Sequence, residues 1–276
     1  MMKMAGYLVI MKNRFHIVFK RIDKNTLKKT TNHNTPSKIK LMEKKKVLVL
    51  LAGSGAKDGS EIREAVLTLT AIEKAGMSFQ CTAPNKLQRD VINFIDDSVL
   101  NEERNILVEA ARIARGDILD LATVSMNDYD ALAIPGGFGV AKNLCSFAID
   151  GVKATVDADA KRIIREAFTM KKAILAICIA PALVALSLHD LEPEILLTLG
   201  LDDGPNQALE TIGVKSAKCL STECIVDEKN KIVSSPAYMD YGASLVDLDM
   251  GINKAMIAFS NFVEDFETVH VSASLI

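Results

Sequence analysis

One run constrains this chain more than any other: Ala173–Ala185, AILAICIAPALVA. Small and branched apolar residues lead to a single cysteine, and a proline follows shortly after. A short all-apolar run abutting a helix start reads as an interior strand of a parallel sheet, buried on both faces. Pro181 suits the first turn of a helix, where a missing N–H has no partner to lose. Cys178 then sits on a tight strand-to-helix turn between small Ala176 and Ala180. Such a turn pushes its side chain out of the sheet, and only small neighbours fit the bend. The sulfur would face a helix N-terminus, whose partial positive charge lowers a thiol pKa. A buried structural cysteine would give the same string. The stretch alone supports both readings equally.

Composition fits an α/β core around that strand. At 276 residues the chain suits one large domain or two small ones. It is 49% hydrophobic with no Trp, so the core is aliphatic. A net charge of −2 gives no reason to expect nucleic acid. The apolar runs are far short of the ~20 residues that span a bilayer, so no membrane partner is expected. Five cysteines, odd in number and widely spread, do not make a disulfide framework. Cys219 and Cys224 lack the second Cys/His pair that a zinc site needs, and no metal is expected. A reducing compartment is the natural inference.

Residues 1–41 differ from the rest. Basic residues from Lys3 to Lys40 are opposed only by Asp23, and Thr30–Ser37, TTNHNTPS, is polar and aperiodic, which reads as disordered. One reading is an organelle-targeting segment. Against it, the charge is mostly Lys rather than Arg. The other reading is a mis-called start with initiation at Met42, which is slightly favoured. The expected location is cytoplasmic, or mitochondrial or another organelle if residues 1–41 are a transit segment. A secretory signal is disfavoured because Ala5–Met11 is short and no small-residue cleavage site follows.

From Lys46 the chain reads as alternating strands and helices. KVLVLLA (Lys46–Ala52) is a strand, GSGAKDG (Gly53–Gly59) a glycine turn, and Ser60–Ala75 a helix stopped by Gly76. Ile62, Ala65, Val66, Leu69 and Ile72 fall at helical spacing. Met77–Thr82 is the second strand, so β-turn-α-β opens a doubly wound sheet. Gly53 and Gly55 begin a dinucleotide fingerprint, but Asp58 stands where its third glycine belongs, so the glycines are read as turn formers. Pro84–Leu100 is a loop, Glu102–Ala114 a helix. Tyr129–Ile134 is a strand running into Pro135, Gly136 and Gly137, where backbone N–H groups can approach a ligand. Helices are expected at Asp157–Met170, Pro181–Leu188 and Asn206–Gly213. Leu196–Gly200 is a short strand, Thr222–Val226 and Lys231–Ser234 a hairpin, and Ala243–Phe262 a closing helix. Glu64 shares a partly polar helix face with Ser60 and Thr68. It is either a solvated carboxylate or one aimed into the crevice at the carboxyl edge of the sheet.

Three motifs now stand in order: GSEIREA in the first helix, PGGFGVAKNL after the Tyr129–Ile134 strand, and AICIAP at the cysteine turn. Together with RNILVEAARIARG and KIVSSPAYM they resemble the PfpI-like superfamily, which includes the parkinsonism-associated deglycase. The resemblance covers nearly all of Lys46–Phe262. It implies an α/β, doubly wound three-layer sandwich with a mostly parallel sheet, class I glutamine amidotransferase-like. Residues 42–276 would form a single such domain. The matching branch is similar to the ElbB-type proteins, associated with glyoxalase activity and isoprenoid biosynthesis.

By position, the resemblance implies Cys178 as nucleophile and Glu64 as its acid–base partner. It also implies an oxyanion hole from the backbone of Gly136, Gly137 and Ile179. It departs at residue 179, where many relatives place a histidine. His189 lies at the end of the next helix and is read as its cap. His16, His33 and His270 lie in the extension or the tail, so glutaminase and Cys–His protease readings lose ground. The implied activity is that of a cysteine-dependent, lyase-like glyoxalase acting on small reactive aldehydes without metal or organic cofactor. Relatives suggest a homodimer. The alternative is a redox-sensing or chaperone-like stress protein built on the same thiol.

Overall fold

The computed structural model describes residues 44–264. The extension at 1–41, with His16 and His33, lies outside the described residues, as does His270. The strands are β1 (Lys46–Leu50), β2 (Ser78–Ala83), β3 (Ile118–Asp120), β4 (Ala131–Ile134), β5 (Ala173–Ile177), β6 (Leu196–Leu197), β7 (Lys215–Ser216), β8 (Ile225–Asp227) and β9 (Ile232–Ser235). The helices are α1 (Ile62–Lys74), α2 (Ile106–Ile113), α3 (Phe147–Asp150), α4 (Ala158–Thr169), α5 (Ala180–Leu188), α6 (Asp203–Ile212) and α7 (Leu245–Val263).

Seven strands form one sheet in the order β3-β2-β1-β4-β5-β9-β8. All neighbours are parallel except β8 and β9, which form the expected hairpin. The mostly parallel α/β fold is therefore as the sequence anticipates. Because side chains alternate along a strand, β1 feeds two cores. Val47 and Val49 join a cluster with Ile72, Ala110, Ile252 and Phe259 of α1, α2 and α7. Leu48 and Leu50 join the opposite cluster with Ile163, Leu183 and Leu209 of α4, α5 and α6. Every residue of β5 is buried, as a strand covered on both faces must be.

Strand β1 connects outward to β2 and β3, while the next strand in the chain, β4, lies on the other side of β1. The sheet thus reverses direction between β1 and β4, and such folds open a crevice beyond the carboxyl ends of these strands. Three loops meet there. The glycine turn after β1 lies against the Gly136–Gly139 turn after β4: Phe138 N–H donates to Ala56 O at 2.8 Å and Gly139 N–H to Gly59 O at 2.9 Å. Gly59 and Gly139 are glycines for want of room, since a Cβ on Gly139 would stand 2.4 Å from Gly59 Cα. The third loop is the turn after β5 that carries Cys178.

The helix at 102–114 begins later than its periodicity suggests, because Asn105 caps it by accepting Val108 N–H. Strand β3, only Ile118–Asp120, and the π-helical turn Val140–Leu144 carry no sequence pattern of their own. Among the described residues no helix is long and apolar enough to cross a membrane.

Candidate active site

Cys178 occupies the turn between β5 and α5 with φ +60°. A side chain other than glycine costs about 1 kcal/mol or more in this left-handed region, so the surroundings must enforce it. They do so from both sides. Its N–H donates to Ser235 O at 2.9 Å, extending the β5–β9 ladder by one residue. Beyond it Ala180 begins α5, with Pro181 in the first turn as expected. The sulfur is left beneath an opening of about 360 Å³ lined by Ala56, Glu61, Gly137, Phe138, Ile179, Tyr238, Met239 and Tyr241. Cys178 is 7% exposed and lines this cavity.

Glu64 is fully buried. The solvated-carboxylate reading is thus excluded, and α1 turns Glu64 and Thr68 inward together with Ala65, Ala71 and Ile72. Ile62 and Val66, apolar in the pattern, are exposed instead. Glu64 Oε1 accepts Tyr238 N–H at 3.1 Å. The 3-10 turn after β9 that aims this donor passes through Ala237 at φ +46°, another strained residue in the same site. Oε2 meets no donor in hydrogen-bonding geometry, although the Cys178 thiol and the Gly136 N–H both act on the carboxyl. A Cβ on Gly136 would stand 2.3 Å from Cys178 Cβ and 2.6 Å from Glu64 Oε2. Only a glycine lets carboxyl and thiol close on each other here.

These placements set the electrostatics. Burial, with the charge of Glu61 adding to it, pushes the Glu64 carboxyl up to about 8 against the pull of the Tyr238 N–H. Burial and then Glu64 push the Cys178 thiol well above its ordinary range. The Gly137 and Ile179 N–H groups pull it down, as expected of a helix N-terminus, but desolvation outweighs them. The expectation of a lowered thiol pKa is therefore corrected. The resting pair is a neutral thiol beside a protonated carboxyl, and the first proton lost is shared between them.

All five residues singled out in the sequence come together. Gly137 and Ile179 present their N–H groups to the sulfur, while that of Gly136 is directed to Glu64. His189 is the C-cap residue of α5, far along the helix from the thiol. Sequence reasoning missed Glu61, Phe138, Tyr238, Met239 and Tyr241. Phe138 and Tyr238 lay within motifs already quoted, PGGFG and SSPAYM, but side-chain identity there gave no sign of facing a cavity.

Among curated proteins, the human "Glutamine amidotransferase-like class 1 domain-containing protein 3, mitochondrial" is 38% identical over 204 residues, 70% of this chain and 75% of its own length. The chain belongs to this glutamine amidotransferase-like class 1 family, which includes the rat "ES1 protein homolog, mitochondrial", also 38% identical. The zebrafish "ES1 protein, mitochondrial" is 30% identical over 210 residues, 70% of this chain and 76% of its own. A crystal structure from Ehrlichia chaffeensis, described as an isoprenoid biosynthesis protein with an amidotransferase-like domain, is 37% identical with a TM-score of 0.75. It matches 80% of this chain and 100% of its own. No family model matches the chain. This family assignment agrees with the PfpI-like resemblance read from the three motifs.

Proposed function

We propose that the protein is a cofactor-independent glyoxalase-like enzyme that converts glyoxal or related 2-oxoaldehydes to 2-hydroxy acids. The observation that carries this reading is the buried Glu64 carboxyl against Cys178, with two backbone N–H groups over the sulfur and an apolar cavity above. Once the pair has lost its first proton, the Glu64 carboxylate takes the thiol proton as sulfur bonds to the aldehyde carbon. The carbonyl π pair becomes an oxyanion, and the Gly137 and Ile179 N–H groups are placed to receive it. Glu64 gives the thiol proton to the neighbouring carbonyl oxygen, then takes the proton of the first carbon and delivers it to the second, and the oxyanion becomes the thioester carbonyl. The first carbon is oxidised to a thioester and the second reduced to an alcohol, so no outside oxidant is needed. Water cleaves the thioester, releasing the acid and restoring the thiol.

Glyoxal and methylglyoxal consumption by purified wild type, Cys178→Ala and Glu64→Gln tests this. Cys178→Ala is expected to fall to background, and Glu64→Gln to lose about 10²-fold or more, the usual share of general acid–base catalysis. Full activity in Cys178→Ala would sink the reading. Oxidation sensing by the same thiol is less well served, since a thiol held protonated reacts slowly with peroxide. The mitochondrial names of the relatives favour the targeting reading of residues 1–41 over the cytoplasmic one. A role in isoprenoid metabolism draws only on the description of the bacterial relative.

A further inference from the structure

We infer that Glu61 and the apolar wall opposite it form a charge gate over Cys178: uncharged 2-oxoaldehydes with an apolar substituent enter, and acids are repelled. This rests on the proposed glyoxalase chemistry and names its substrate class. The cavity of about 360 Å³ falls in the range of about 300–1,000 Å³ that holds substituted organic ligands, which is more than bare glyoxal fills. Phe138, Ile179, Met239 and Tyr241 make most of its wall, and Phe138 and Tyr241 stand exposed at its rim. Among the described residues, Glu61 is the one carboxylate that lines it.

Glu61 is held in place. It is the N-cap of α1, and its Oε2 accepts the Glu64 N–H at 2.7 Å. Its own N–H donates to Gly136 O at 2.9 Å. Among the described residues no cation lines the cavity, although Arg63 and Lys142 reach Tyr238 and Phe138, which do. Arg63 donates to the Tyr238 hydroxyl at 2.8 Å, and Lys142 is paired with Asp90. Among the described residues, an incoming carboxylate or phosphate therefore meets the Glu61 charge and a mostly apolar wall with no lining cation to receive it. The same charge acts on the product. The reaction turns a neutral aldehyde into an acid, so Glu61 favours release of what the site has just made.

Matched substrates test this: glyoxal, phenylglyoxal and 4-carboxyphenylglyoxal, which differ first by an aryl group and then by an added carboxylate. Wild type is expected to favour phenylglyoxal over both others in kcat/KM by roughly tenfold or more. Phe138→Ala should erode the preference over glyoxal. Glu61→Gln, which keeps an acceptor for the Glu64 N–H, should narrow the gap between the two aryl substrates severalfold. It should also tighten inhibition by the product mandelate. Equal kcat/KM for glyoxal and phenylglyoxal, or an unchanged carboxyl penalty and mandelate inhibition in a folded Glu61→Gln, would overturn the gate while leaving the glyoxalase reading intact. Consumption of none of the three would overturn both.

Discussion

At the scale of single residues the site is a matter of one buried proton. Glu64 holds it to about pH 8 in the folded protein, while an unfolded chain releases it near pH 4.5. A folded-state pKa above the unfolded one contributes stability that is fully present below about pH 4.5 and is lost as pH rises to about 8. Other carboxylates titrate alike in wild type and variant, so the difference isolates this group. Thermal melts of wild type and Glu64→Gln should diverge between pH 5 and pH 8, with wild type losing a few kcal/mol relative to the variant. Parallel curves would mean that Glu64 is ionised in the folded state. The same proton governs rate. Wild-type kcat/KM should rise with pH through about 8, where the pair loses its first proton. In Glu64→Gln the rise should move higher, toward the raised thiol.

At the scale of elements, α1 departs from the usual rule for an amphipathic helix, burying two polar residues beside Ala65, Ala71 and Ile72. Its apolar spacing placed Ile62 and Val66 in the core, yet both are half exposed, and Glu64 and Thr68 are fully buried. The helix packs on α7 and delivers a carboxyl to the cysteine, so its orientation is set by the site as well as by hydrophobic area. Thr68 bears a cost of this. Its Oγ1 is buried with no hydrogen-bond partner, and such a group costs about 1–3 kcal/mol. Replacing it by the near-isosteric valine, Thr68→Val, should raise stability by about 1 kcal/mol in urea unfolding, leaving the slope unchanged. Loss of stability instead would mean that the hydroxyl is satisfied. Strand β5 shows the ordinary case, an apolar string whose burial follows from its composition.

At the scale of the whole molecule, the site exists because loops from β1, β4 and β5 converge where the sheet changes direction. Gly136 marks the point of convergence. Its missing side chain is the space between α1 and the β5 turn, with Cys178 Cβ, Glu64 Oε2 and Ile177 O all within 2.9 Å of where a Cβ would lie. Gly136→Ala should push thiol and carboxyl apart, with loss of aldehyde turnover and a drop in stability of a few kcal/mol, the usual cost of overpacking. Turnover within twofold of wild type would show that the two need not touch.

The chain by itself determined the parallel sheet, the cysteine at its turn and the glycines beside it. These are local facts: an apolar run, a proline and a pair of glycines bias backbone geometry within a few residues. It left Glu64 open between solvent and crevice, because Ser60, Glu64 and Thr68 make one stripe whichever way the helix rolls. It also suggested a lowered thiol pKa, since a helix N-terminus can be read from sequence while the depth of burial cannot. Only the tertiary structure decided both, by packing α1 with Glu64 and Thr68 inward and by burying most of Cys178. Desolvation depends on every neighbour at once, and those neighbours come from segments as far apart in the chain as Glu64, Gly136, Cys178 and Tyr238.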